Sequence, residues 1–89
     1  MPDSDETLLK FPCDFPLKVM GDDSDALRTF VRGVIDAHAS ATPHSAYSEK
    51  LSRNGKFVSI TILIKAESKQ QLDTIYEKFS DSDLTKYVL

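Results

Sequence analysis

Eighty-nine residues leave room for one small domain, since independently folding domains cluster near about 100–150 residues. The chain is 40% hydrophobic and 28% charged, an ordinary globular balance that supports one core but no deep, enclosed active site beside it. Eleven Lys and Arg against fourteen Asp and Glu give a net charge of -3, which argues against a default nucleic-acid binder.

The first residues, Met1-Pro2-Asp3-Ser4-Asp5-Glu6, are acidic and lack the basic and apolar regions of a secretory signal. Residues 1–10 are expected to be a flexible acidic tail, and residues 11–89 a single domain. Two prolines, Pro12 and Pro16, forbid a helix where the domain begins. Leu17, Val19 and Gly21 then alternate with Lys18 and Met20, which predicts a first strand over 15–21. The turn that follows, Gly21-Asp22-Asp23-Ser24-Asp25, offers oxygens to cap a helix and carboxylates to meet its positive end.

Leu27, Phe30, Val31, Val34, Ile35 and His38 fall on one stripe of a helix. Gly33 interrupts that helix, and a close approach to the sheet is the reading that explains it. Pro43 blocks continuation. Residues 44–52 alternate loosely, with Ala46, Tyr47 and Leu51 as packing candidates. Residues 56–65 form the clearest strand, with Val58, Ile60, Ile62 and Ile64 on one face and Ser59, Thr61 and Lys65 on the other. Asn54-Gly55 between these two segments predicts an antiparallel hairpin. Ser68 to Gln71 has the capping-box spacing, ahead of a second amphipathic helix carrying Leu72, Ile75, Tyr76 and Phe79. Leu84 to Leu89 reads as the last strand.

The order β-α-β-β-α-β with short, right-handed connections gives an α+β ferredoxin-like sandwich. Its four-stranded antiparallel sheet would run 4-1-3-2 with both helices on one face. The other face is left uncovered, carrying Met20, Ser59, Thr61 and Leu63.

This fold hosts unrelated activities, so the residues of a site must decide. A metal-carrying reading needs paired cysteines after the first strand, and the chain's one cysteine, Cys13, lies before it. One cysteine also excludes an intrachain disulfide and fits a reducing, cytoplasmic compartment. An RNA-binding reading needs aromatics on the central strands, where Ser59, Thr61 and Lys65 stand instead. A phosphate-cradling loop is excluded by Asp22, Asp23 and Asp25, which repel phosphate. Those aspartates match no complete calcium loop either, and His38 and His44 lack a third metal ligand nearby. No residue set supports catalysis, a metal or a cofactor. No apolar run approaches the roughly 20 residues of a membrane span. Lys50, Arg53 and Lys56 make a basic hairpin tip, ordinarily just solvated charge.

The stretch Phe11-Pro12-Cys13-Asp14-Phe15-Pro16-Leu17-Lys18-Val19-Met20-Gly21 resembles the opening signature of the YbeD-like family of small bacterial proteins of unknown function. Val58-Ser59-Ile60-Thr61-Ile62 resembles that family's third strand, and Tyr87-Val88-Leu89 its ending. The likeness covers residues 11–89 and implies a sandwich similar to ACT domains, the small-molecule-sensing modules of amino-acid metabolism. ACT domains commonly hold an effector near the loop after the first strand, which by analogy points here to Gly21, Asp22 and Asp23.

The expected function is therefore a non-enzymatic, ACT-like regulatory or adaptor domain in the bacterial cytoplasm. It would act by docking a protein partner or sensing a small-molecule effector through a homodimer. Ser59, Thr61, Leu63, Lys50, Arg53 and Lys56 are the expected partner contacts. A nucleic-acid-associated module using the Lys50/Arg53/Lys56 hairpin is the alternative.

Overall fold

The computed structural model describes residues 10–89. The acidic segment expected to be a flexible tail therefore lies, apart from Lys10, outside the described residues. The remaining chain forms β1 (Cys13–Asp22), α1 (Asp25–His38), β2 (Tyr47–Leu51), β3 (Phe57–Ala66), α2 (Lys69–Ser80) and β4 (Thr85–Val88). A short 3-10 turn, His44–Ala46, leads into β2. The four strands make one antiparallel sheet in the order β2-β3-β1-β4, the predicted order read from the other edge.

β1 begins at Cys13 rather than Phe15, because β3 is long enough for Ala66 to pair with Cys13. Pro16 consequently stands inside a central strand, where a residue normally donates its one backbone N–H to a neighbouring strand. Its place is explained by register. Lys18 exchanges both backbone bonds with Leu89, at 3.1 and 2.8 Å, so by alternation the bond-forming side of Pro16 also faces β4. β4 ends opposite Lys18, and the missing N–H falls where no described strand would accept it. Pro16 thereby blunts an exposed edge.

The inner face of the sheet reads as predicted. Leu17, Val19, Val58, Ile60, Ile62 and Ile64 are all 2% exposed or less, under Leu27, Val31 and Ile35 of α1 and Ile75 and Phe79 of α2. Phe30 meets Phe79 edge to face, with ring centroids 5.9 Å apart, and joins the two helices. Ser24 caps α1 by accepting the Leu27 N–H, and Ser68 caps α2 by accepting that of Gln71. The second half of the capping box differs from the simple motif. The Gln71 side chain accepts from the Glu67 N–H and donates to the His38 carbonyl at 2.8 Å, so it satisfies the end of α1 as well.

Two expectations are corrected. Gly33 does not permit close packing: it is exposed, and a Cβ built there meets nothing within 4 Å. Leu51 is no core residue but 52% exposed, because β2 is an edge strand and Leu51 is its last residue. The glycine that packing does require is Gly21. A Cβ there would run into the Leu84 carbonyl and the Leu27 side chain, at the point where the β1–β4 register shifts. Gly55 sits at φ 72° in the β2–β3 hairpin, whose turn is fixed by the Ser52 and Asn54 side chains.

Candidate functional site

Pleating sends Lys18 and Met20 of β1, Ser48 and Lys50 of β2, and Phe57, Ser59, Thr61, Leu63 and Lys65 of β3 to the face opposite the helices. Pairing aligns them into rows. Lys50 lies across from Ser59, Ser59 from Met20, and Met20 from Tyr87. Ser48, Thr61 and Lys18 form the next row, and Pro16 with Leu63 the one beyond. The far end carries an exposed ion pair between Lys65 and Asp14, at 2.8 Å.

The predicted contacts are thus brought together. Lys50, Ser59, Thr61 and Leu63 share this outer face, and Arg53 and Lys56 stand on the hairpin that extends it. Leu63 is 43% exposed and Tyr87 55%, large apolar groups with no helix above them. The side chains of Lys18, Lys50, Arg53 and Lys56 make no ion pair among the described residues. The outer face is therefore a mixed apolar and hydroxyl surface bordered by unneutralised cations. Sequence reasoning missed Lys18, Tyr87 and Leu89. Lys18 was visible in the alternation of β1. Tyr87 and Leu89 were not, because the β4 register depends on the irregularity at Gly21.

Gly21, Asp22 and Asp23 do not converge. Gly21 is buried against Leu84 and Leu27. Asp22 is on the outer face, opposite Phe57, while the Asp23 carboxylate accepts from Arg28 at 2.6 Å. Asp23 also donates its backbone N–H to Lys56, which ties the loop to the hairpin.

Arg28 organises a second region, a cleft of about 420 Å³ between α1 and β2. Its guanidinium meets both carboxylate oxygens of Glu49 at 3.0 Å in addition to Asp23, and these bonds hold it still further from deprotonation. Arg32 lies 5.4 Å from the centre of the Tyr47 ring, a cation–π arrangement. The Tyr47 hydroxyl is buried and has no hydrogen-bond partner among the described residues. Burial pushes its pKa up; Asp36 adds to that and Arg32 opposes it. Gly33 and Asp36 complete this wall.

Among the described residues no group of three His, Cys, Asp or Glu side chains gathers to hold a metal ion. No described helix is long and apolar enough to cross a membrane.

Comparison with known proteins gives a consistent result. A family model described as a protein of unknown function (DUF493) matches residues 6–89. A UPF0250 protein of Chromobacterium violaceum is 36% identical over 89 residues, covering 100% of both chains. One from Nitrosomonas europaea is 31% identical over 86 residues, covering 97% of this chain and 99% of its own. These names carry no enzymatic activity. The solution structure of protein HP0495 from H. pylori matches with a TM-score of 0.73, covering 100% of this chain and 94% of its own, at 18% identity. That likeness shows the ferredoxin-like fold.

Proposed function

This chain belongs to the DUF493 family, the YbeD-like UPF0250 proteins of bacteria, and we propose that it serves as a non-enzymatic adaptor or regulatory domain. It docks a protein partner on the outer face of its sheet. The observation that carries this reading is the conjunction of uncovered apolar groups, Leu63 and Tyr87, with four cations that have no partner among the described residues. Folding explains neither. A lone exposed leucine is ordinary, but apolar side chains bordered by unpaired lysine and arginine make a surface complementary to an acidic partner with apolar anchors.

The fold favours this use. β1 and β3 are rigidly paired over ten residues each, so the outer side chains are presented on a preorganised platform. Long-range attraction from Lys50, Arg53 and Lys56 would speed encounter, and Leu63 and Tyr87 would supply the desolvated contact. A second copy of the chain is a less complementary occupant, because the same cations would face each other across a two-fold axis.

The test is comparative capture from a bacterial extract. Immobilised wild-type chain is run beside Lys50→Glu/Arg53→Glu/Lys56→Glu, Leu63→Ser/Tyr87→Ser and, as a helix-side control, Glu77→Lys, with folding checked by circular dichroism. The reading predicts a protein retained by wild type and Glu77→Lys, and lost from both outer-face variants. Retention by all four forms would overturn it. Salt-sensitive RNA or DNA binding that disappears in the triple variant would support the nucleic-acid reading instead.

A further inference from the structure

We propose that residues 1–9 are themselves an occupant of the outer face, crossing it within the same chain as an acidic strap with apolar anchors. This rests on the docking reading for the face and adds a segment of the chain that competes for it.

Charge is divided unevenly along the chain. Asp3, Asp5 and Glu6 carry the whole net charge of -3, because residues 10–89 hold eleven acids against all eleven bases. Leu8 and Leu9 follow those carboxylates directly after Thr7. The segment therefore has the chemistry that suits the outer face, carboxylates for its cations and apolar groups for Leu63.

Order along the chain matches order across the face. Residues 1–9 lie outside the described residues and join the domain through the exposed Lys10 and a bend at Phe11 and Pro12. That junction stands at the Cys13–Ala66 end of the sheet. Inward from it, the outer face presents Leu63 beside Pro16, then Lys18, then Lys50 in the row of Met20. Backward from Lys10, the chain presents Leu9 and Leu8, then Glu6 and Asp5, then Asp3. Lys65, nearest the junction, is already held by Asp14, whereas Lys18 and Lys50 make no ion pair among the described residues.

Length sets which cations are reached. Asp3 stands seven residues before Lys10, about 23 Å of extended chain. Asp14 to Met20 spans about 20 Å along β1. With the length of a lysine side chain added, the carboxylates come to Lys18 and Lys50. Arg53 and Lys56 stand on the hairpin beyond the Asp22–Phe57 pair, at least about 7 Å further. Tethering supplies an effective concentration of the order of millimolar, which populates a contact too weak to form between separate molecules.

Amide NMR spectra of the isotope-labelled full chain test this with no partner present. Asp3→Asn/Asp5→Asn/Glu6→Gln should shift the amides of Lys18, Lys50, Thr61 and Leu63, all remote in sequence, and leave Leu72 to Phe79 of α2 in place. Lys18→Gln/Lys50→Gln, at exposed positions, should in turn shift the amides of residues 3–9. Arg53→Gln/Lys56→Gln should leave those amides unmoved, and dilution should change none of these differences. An unmoved outer face in the first variant overturns the proposal. So do shifts confined to α2, or an Arg53/Lys56 variant as effective as the Lys18/Lys50 one. Shifts that fade on dilution assign the face to residues 1–9 of a second copy and overturn the placement within one chain. These outcomes are separate from the capture test: an unmoved outer face leaves a captured partner standing, and a failed capture leaves the strap standing.

Discussion

β3 presents two faces built from alternate residues of one strand, and they obey different rules. Val58, Ile60, Ile62 and Ile64 are sealed under the helices at 2% exposure or less. Phe57, Ser59, Thr61, Leu63 and Lys65 look the other way, with nothing above them. The inner face is uniform, β-branched and fully accounted for by hydrophobic burial. The outer face is heterogeneous: Phe57, Ser59 and Thr61 are half-buried, Leu63 and Lys65 exposed, and no helix covers any of them. A face that folding leaves free is where selection for binding can act, and the proposed docking role rests on the cations around it that have no partner among the described residues.

Adjacent substitutions test this contrast most sharply. Ile62→Asp should unfold the domain, because an unpaired charge buried in the central strand costs at least about 4 kcal/mol against a net stability of the order of 5–15 kcal/mol. Leu63→Asp, one residue on, should change stability by no more than about 1 kcal/mol. Urea melts of both variants decide the matter, and similar losses would erase the distinction between faces.

Gly21→Ala comes next, at about 3 kcal/mol, since its Cβ would strike the Leu84 carbonyl, a backbone atom with no room to move. A wild-type melt would mean that β4 does not close against β1 in this register. Gly55→Val should lose about 2 kcal/mol by forcing a branched side chain to positive φ. An unchanged melting temperature would place another turn at the hairpin. Smallest, and opposite in sign, is Gly33→Ala, which should stabilise the chain by up to about 1 kcal/mol because helix propensity improves and nothing is displaced. A loss of stability there would show that Gly33 is a packing residue after all.

The layered architecture was legible from periodicity alone. Alternation over 56–65 and the stripe from Leu27 to Ile35 each have one solution that buries the apolar set. Strand ends were less legible, because the extent of β1 depends on its long-range partner Ala66 and not on its own residues. The packing need at Gly21 and the absence of one at Gly33 were inverted in sequence reasoning for a similar reason. A glycine's neighbours come from other elements, here the Leu84 carbonyl against open solvent. The outer-face placement of Ser59, Thr61 and Leu63 followed from alternation, whereas Tyr87 joins that face only through the β4 register. The cleft was invisible, since Arg28 and Glu49 are 21 residues apart and neither stands in a recognisable motif.

The most direct test of the docking face is to map amide chemical-shift changes in the labelled chain as a captured partner is added. Shifts concentrated at Lys18, Lys50, Ser59, Thr61, Leu63 and Tyr87, with Leu72 to Phe79 of α2 unmoved, are the predicted result. Shifts confined to the helical layer, with the outer face silent, would contradict it.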